Sequence, residues 1–250
     1  MYLTTKALVL RVREYDERHS IIKLLTQEQG LIVAKVRNLR RKNNPLSAPC
    51  QLLVYGEFTL FQYGDRYTLN EAHCLNMFQN LRRDIECFAL GTYFAQVAEY
   101  IVQESQEDQG MLQLVLNCLY ALSELKLPQA QVKAVFELRT ACIAGFMPDL
   151  SGCVICGNPR ADRFDIFNGQ LSCSECATHE TRSLRMPVSG GILDAMRYIT
   201  ACPASKIFSF RLGEESLQGL GKITESFLIT QLEHGFSSLD FYKSLFASYI

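Results

Sequence analysis

The chain has no apolar run of the roughly 18 residues that a membrane-spanning helix requires, so no membrane partner is expected. Its opening, from Met1 to Leu10, lacks the form of an export signal, because Arg11 and Arg13 interrupt the apolar stretch almost at once. A cytoplasmic location is therefore expected, and with it reduced thiols rather than disulfides for the ten cysteines. Internal repeats and low-complexity linkers are also missing. So are the usual marks of catalysis. Gly152, Gly157 and Gly169 follow neither Walker nor dinucleotide-loop spacing, and no G-x-S-x-G elbow occurs. The acids Glu104, Glu107 and Asp108 read as a solvated inter-helix turn. No enzymatic activity is expected.

What is present suits a globular protein of one large domain or two to three small ones. Hydrophobic residues are 48% and charged residues 20% of the 250 positions, enough apolar surface for a core. The net charge of −1 hides an asymmetry. Residues 1–80 hold 11 Lys and Arg against 7 Asp and Glu, whereas the remainder holds 14 against 19. A basic front part points to a polyanionic partner.

The first 80 residues read as β-structure. Leu8, Leu10 and Val12 alternate with Val9, Arg11 and Arg13, the period of a half-buried strand. Residues 20–25 and 31–37 supply two more strands, separated by the turn signal Gln29-Gly30. Residues 52–63 and 66–73 form a hairpin closed by Gly64-Asp65, a register that sets Leu60 opposite Leu69 and Phe61 opposite Thr68. Five short strands without a helical crossover suit a small OB-fold barrel, and an SH3-like barrel would give nearly the same pattern.

Near residue 82 the period becomes helical. Leu90, Tyr93, Phe94, Val97 and Ile101 make one stripe, and residues 112–125 make another. Pro128 opens a third helix carrying Val132, Val135, Phe136, Cys142 and Ile143, which stops near Gly145. Further helices are expected at 189–200, 214–232 and in the tail 241–250. Cys87, Cys118 and Cys142 fall inside these patterns as small buried hydrophobes. The fold class is thus α+β: an N-terminal five-stranded barrel over 1–80, then an all-α helical domain over 81–250. A four-cysteine zinc module is inserted in the latter at about 150–187.

That module rests on Cys153, Cys156, Cys173 and Cys176, spaced C-x2-C-x16-C-x2-C. Two residues between cysteines let both sulfurs of a turn face one ion, and two such turns complete a thiolate tetrahedron suited to one Zn²⁺. A rubredoxin-like iron site and free thiols are the alternatives. The insert at 164–169 is short enough to fold back as a hairpin. Four thiolates leave no open coordination position, so the ion is expected to be structural. The deaminase pattern H-x-E with P-C-x-x-C is not met: His179-Glu180 lacks the spacing, and neither knuckle follows a proline. His179 is a competing ligand, whereas His19, His73 and His234 belong to no pattern.

The segment from Lys35 to Lys42 holds five positive charges, on Lys35, Arg37, Arg40, Arg41 and Lys42. It leads into Asn43-Asn44-Pro45, a loop signal. A basic loop beside a small barrel can track a phosphate backbone, releasing counterions as it does so. Arg11, Arg13 and Lys23 add charge on neighbouring strands. Tyr55, Phe61 and Tyr63, with Arg66, offer a surface for base stacking. The plain alternative is a solvated loop and ordinary surface tyrosines.

Three stretches, Phe136-Glu137-Leu138-Arg139, Gly145-Phe146-Met147-Pro148-Asp149-Leu150 and Cys153-Val154-Ile155-Cys156-Gly157, resemble the helix-to-zinc passage of the RecO family of recombination mediators. The strand at Ala7-Leu8-Val9-Leu10 and the turn Glu28-Gln29-Gly30-Leu31 are similar to that family's first hairpin. One departure is Val36-Arg37-Asn38, where the family usually has a glycine leading into its basic β3–β4 loop. The resemblance implies an OB-fold barrel, a structural zinc and a non-catalytic role. It implies binding of single- and double-stranded DNA, annealing of complementary strands and pairing with RecR. It further implies help in loading RecA onto DNA covered by single-stranded-DNA-binding protein, whose acidic C-terminal tail the helical domain would hold. Arg139 is the candidate edge residue for that tail; an internal ion pair with Glu137 or another acid is the competing reading. Two other functions compete with a DNA-binding mediator. One is a zinc-stabilised protein-interaction module with incidental DNA affinity, and the other a zinc enzyme acting on nucleic acid.

Overall fold

The computed structural model describes residues 1–104, 106–108, 110–176 and 184–247. It is α+β and divides into two compact units. Met1–Lys126 with Phe236–Ile250 makes the first, and Leu127–Gly235 the second. The change from strands to helices falls at residues 77–79, but packing groups the next helices with the strands.

In the first unit, β1 (Tyr2–Glu14), β2 (His19–Thr26), β3 (Leu31–Arg37), β4 (Tyr55–Tyr63) and β5 (Arg66–Asn76) close on themselves in the order β1-β2-β3-β5-β4. One strand does double duty. The first half of β1 pairs with β4, from Tyr2↔Phe61 to Leu8↔Tyr55, and its second half pairs with β2, with a register shift between Val9 and Arg11. The β3–β5 pair is parallel, as Ala34↔Tyr67 and Lys35↔Thr68. Inside lie Ala7, Val9, Ile22, Leu24, Ile32, Ala34, Val36, Phe58, Leu60 and Leu69. Each larger member contributes about 1.5–3 kcal/mol by leaving water.

The β4–β5 hairpin has the expected register, with Leu60↔Leu69, Phe61↔Thr68 and Tyr63↔Arg66 around Gly64-Asp65. Two strand expectations need correction. Ala7, Leu8, Val9 and Leu10 are all buried, so this part of β1 is covered on both faces rather than half-buried. The helix over Ile85–Ile101 packs on its outer side. And β4 starts at Tyr55, not at residue 52. Leu53 has φ 62 and donates its N–H to Val9 O at 2.9 Å, while Val54 O accepts from Val9 N at 3.0 Å. Residues 52–54 therefore clasp the register shift of β1 before β4 begins.

Gly30 shows why the β2–β3 turn needs glycine. Its φ is +57, and a Cβ there would stand 2.4 Å from Gln106 O and 2.5 Å from Gln103 O. The segment after the second helix lies against this turn, with Leu31 N donating to Gln103 O at 3.1 Å and Asp108 N to Gln27 O at 2.8 Å.

Among the described residues four helices complete the unit: α1 (Gln79–Arg82), α2 (Ile85–Ile101), α3 (Met111–Ser123) and, from the chain's end, α7 (Ser237–Ala247). Asp84 caps α2 by accepting from the N–H groups of Glu86 and Cys87. Asp108 is no idle solvated acid. It accepts from Met111 N at 2.9 Å and Leu112 N at 2.6 Å, satisfying orphan donors of α3. The terminal helix starts at Ser237, four residues before the expected tail. Phe236 meets Tyr93 and Tyr100 edge-on at 5.8 Å, and the Gln96 side-chain carbonyl accepts from Ser238 N at 3.1 Å. Of the three helical cysteines, Cys118 is buried while Cys87 and Cys142 are partly exposed.

The second unit contains α4 (Gln129–Ile143), α5 (Gly190–Ala201) and α6 (Glu214–Leu232). Short strands β6 (Asp149–Cys153), β7 (Arg163–Asp165), β8 (Gln170–Ser172) and β9 (Arg185–Pro187) form one sheet in the order β6-β8-β7-β9. Pro128 occupies the N-cap of α4, and Ser189 caps α5 by accepting from Ile192 N. The insert folds back as expected, with Phe164↔Leu171 across β7 and β8. Phe164 then packs edge-on against Phe227 of α6 at 5.3 Å.

Candidate metal centre and nucleic-acid interface

The first cysteine knuckle grows out of β6. Cys153 N donates to Asn158 O at 2.9 Å and Gly157 N to Cys153 O at 2.8 Å, which curls residues 153–158 into a tight turn. Gly157, at φ 73, takes the left-handed conformation that this curl demands. In the second knuckle Cys176 N donates to Cys173 O at 3.1 Å. Asp162 holds that turn, accepting from Ser174 N at 2.7 Å, and this bond keeps its carboxyl below the usual carboxylate range. Arg197 fastens the module from α5, donating to Leu150 O at 2.8 Å and Pro159 O at 2.7 Å.

These turns bring the sulfurs of Cys153, Cys156, Cys173 and Cys176 within 4.8 Å of one another, with Cys156 and Cys173 at 3.8 Å. Bonds of about 2.3 Å to a tetrahedral ion imply sulfur separations of about 3.8 Å, so the four residues fit one metal ion. Hydrogen bonds from the backbone N–H groups of Cys156, Ile155 and Cys173 lower the Cys153 thiol to about 6, favouring its thiolate. Burial, then contact with Cys156 and Cys153, raises Cys173 to about 11. Further thiolates beside the first need a cation among them. His179 lies outside the described residues.

The basic segment is a turn tied down by several hydrogen bonds. Asn38 and Asn43 take left-handed φ values of 51 and 63. Asparagine tolerates this region better than other non-glycine residues, so Asn38 can serve where the resemblance implies a glycine. Asn38 N donates to Arg18 O, Asn44 Nδ2 donates to Asn38 O at 2.7 Å, and Ser47 Oγ donates to Leu39 O at 2.9 Å. Leu39 and Leu46 pack on the barrel core and anchor the turn. Arg37, Arg40, Arg41 and Lys42 all face solvent.

The remaining candidates separate into two groups. Lys35 points outward from β3 with its ammonium 5.6 Å from the centre of the exposed Tyr15 ring. Cross-strand pairing places Lys35 beside Thr68, Thr68 beside Phe61, and Phe61 beside Tyr2, whose ring meets Phe61 edge-on at 5.3 Å. Arg66 lies opposite the exposed Tyr63. Arg13 is exposed near the end of β1. Three other cations are engaged. Arg40 pairs with Glu14. Arg11 and Lys23, cross-strand neighbours, both reach Glu99 Oε1 of α2, at 3.2 and 2.8 Å. Tyr55 is partly buried, its hydroxyl pushed up by burial and by Glu28, and it does not join the exposed rings.

Arg139 is partly buried, and its guanidinium meets backbone carbonyls rather than the Glu137 carboxylate. It donates to Thr200 O at 3.1 Å and to Cys202 O, capping the C-terminus of α5. Glu137 is engaged elsewhere. Lys133 Nζ lies 2.7 Å from Glu137 and 2.6 Å from Glu225, and Thr224 Oγ1 donates to Glu137 at 2.8 Å. Burial, more than offset by both acids, leaves the Lys133 ammonium above its usual value, and burial pushes the Glu137 carboxyl up. Sequence patterning did not reveal this network or Glu99; the i, i+4 spacing of Lys133 and Glu137 was the available signal.

A five-stranded N-terminal sheet, a helical remainder and a four-cysteine cluster define the class. The family follows from two models covering nearly the whole chain: Recombination protein O N terminal matches residues 1–78, and Recombination protein O C terminal matches residues 82–240. The chain belongs to the RecO family of DNA repair proteins. DNA repair protein RecO of Acetivibrio thermocellus is 32% identical over 246 residues, spanning 98% of this chain and 97% of that one. The RecO protein of Alkaliphilus metalliredigens is 26% identical over 248 residues, 98% and 100% of the two chains. That of Dehalococcoides mccartyi is 26% identical over 216 residues, 86% and 85% of the two. Among the described residues no helix is long and apolar enough to cross a membrane.

Proposed function

We propose that this protein is a DNA-binding recombination mediator that works without enzymatic turnover. It binds and anneals single-stranded DNA and, with RecR, helps load RecA onto DNA coated by single-stranded-DNA-binding protein. In this reading the barrel is an OB-fold, and its ordered basic turn is the main contact with the phosphate backbone. Arg37, Arg41 and Lys42 project from that turn, with Lys35, Arg13 and Arg66 on flanking strands. Arg40 joins them when DNA phosphate replaces Glu14. The acidic tail of single-stranded-DNA-binding protein binds the helical part. The four cysteines hold one Zn²⁺, which supplies cross-linking energy to a sheet of three- to five-residue strands.

The observation that carries this reading is the basic turn itself. Side-chain and backbone bonds of Asn38, Asn44 and Ser47 hold its cations out on a fixed platform, on a chain of a DNA-repair family. A solvated loop kept only for solubility does not need such anchoring. The test is a salt titration of the purified protein against a single-stranded oligonucleotide. Affinity that falls steeply and linearly in log–log form supports phosphate contact. No affinity in dilute buffer contradicts the proposal.

A further inference from the structure

We propose that Arg11 and Lys23 form a second phosphate-binding site, which the carboxylate of Glu99 holds closed. The inference rests on the DNA-binding reading above and deepens it. Arg11 and Lys23 are directly paired across β1 and β2, on the outer side of the barrel. Their cationic groups converge on one oxygen, Glu99 Oε1, Arg11 Nη1 at 3.2 Å and Lys23 Nζ at 2.8 Å. A guanidinium and an ammonium focused on a single anionic oxygen is the geometry by which a phosphodiester oxygen is held. Glu99 thus stands where the phosphate would stand.

The surroundings favour a displaceable anion over a permanent structural bridge. The Arg11 side chain remains 56% exposed and that of Lys23 32%, whereas Glu99 is only 14% exposed and fixed in the last turn of α2. The cations therefore face water while the acid backs them. Losing both cations leaves the carboxylate of Glu99, only 14% exposed, without its partners, so an incoming phosphate has to offset that cost. Arg11 and Glu99 also border a cavity of about 730 Å³, with Ser47, Gln51, Gln96 and Ser237 among its polar walls. A phosphate group has room beside the acid and polar side chains to meet. Glu99, being part of the same molecule, competes at a high effective concentration that only a closely held DNA strand overcomes.

The test compares four proteins in salt titrations with one single-stranded oligonucleotide: wild type, Glu99→Gln, Arg11→Gln/Lys23→Gln, and the triple combination. Glutamine keeps the shape of Glu99 and removes its charge; thermal melts check that each protein is folded. Opening the site should make Glu99→Gln bind more tightly and steepen the salt slope by up to about 1.4, the equivalent of two single-strand phosphate contacts. Loss of Arg11 and Lys23 should then cost more slope in the Glu99→Gln background than in wild type, a non-additivity that reports the mask. Equal slopes for wild type and Glu99→Gln, or the same cost in both backgrounds, overturn this inference while leaving the mediator reading intact. Absence of binding by all four overturns both.

Discussion

The two compact units of this chain solve the problem of charge in opposite ways. Among the described residues, the first unit buries only the uncharged polar side chains of Thr5, Ser20, Thr26 and Ser123, and its cations stand outside the barrel. The second buries Lys133, Glu137 and Asp165 along with Gln131, Thr140, Ser172 and Thr224. The cause is visible in their elements. Barrel strands of seven to thirteen residues satisfy their own backbone and enclose a continuous apolar core. The sheet of the second unit has strands of three to five residues, and side chains finish the work its ladders leave undone. Arg139 serves the end of α5, Arg197 the cysteine turns, Gln131 the carbonyls of Phe208 and Phe210, and Gln231 those of Ile166 and Phe167. Apolar packing leaves a surface free for charge, whereas a polar interior commits its charges to the fold.

The largest effect expected is at the cysteine cluster. Cys153→Ser removes one of four thiolates, and binding energy of roughly 10–16 kcal/mol in small zinc modules is folding energy. Metal content should fall, and hydrogen exchange should accelerate across residues 149–176 while strands β1–β5 keep their protection. Equal acceleration in the barrel strands would erase the distinction between the units.

Lys133→Met comes next. It leaves Glu137 and Glu225 facing each other without the cation between them, and breaking such a buried set costs about 3–5 kcal/mol. A pH dependence goes with it. The folded pKa of Lys133 lies above its ordinary 10.5, so its contribution is complete below that value and disappears as pH climbs through the folded one. Chemical denaturation of wild type at increasing alkaline pH should show this loss, and Lys133→Met should lack it. Denaturation curves that superimpose at neutral pH would show that the network is not what binds α4 to α6.

Gly30→Ala probes the first unit. A Cβ 2.4 and 2.5 Å from two backbone oxygens, at positive φ, forces Gln103 and Gln106 away, at an expected cost of about 2–4 kcal/mol by thermal or denaturant unfolding. A variant as stable as wild type would mean that these two residues yield freely.

Much of this was legible in the sequence for local reasons. Gly64-Asp65 set the β4–β5 register, and the helices opening after Pro128 and spanning 214–232 were both expected. The C-x2-C pairs converge because knuckle geometry is local. What escaped is tertiary. Leu8 and Leu10 read as half of an alternating strand because nothing in β1 announces that α2 covers its outer face. Leu53 is apolar and β-like in pattern, yet it takes a left-handed turn to clasp Val9. The bonds of Arg139 were not legible either, because Thr200 and Cys202 reach it from about sixty residues away. The clustering of the four cysteines was legible in full, whereas the charged surface was found in composition but not in its ion pairs.

The smallest effect on stability, and the sharpest on function, belongs to the basic turn. Arg40→Gln/Arg41→Gln/Lys42→Gln touches exposed side chains and should change folding free energy by no more than about 0.5 kcal/mol. The decisive measurement is the salt dependence of oligonucleotide binding by this variant beside wild type. A folded variant whose log–log slope is shallower by about 2, with affinity reduced alike on unrelated sequences, is the outcome expected from lost phosphate contacts. An unchanged slope and affinity would contradict the assignment of DNA binding to this turn.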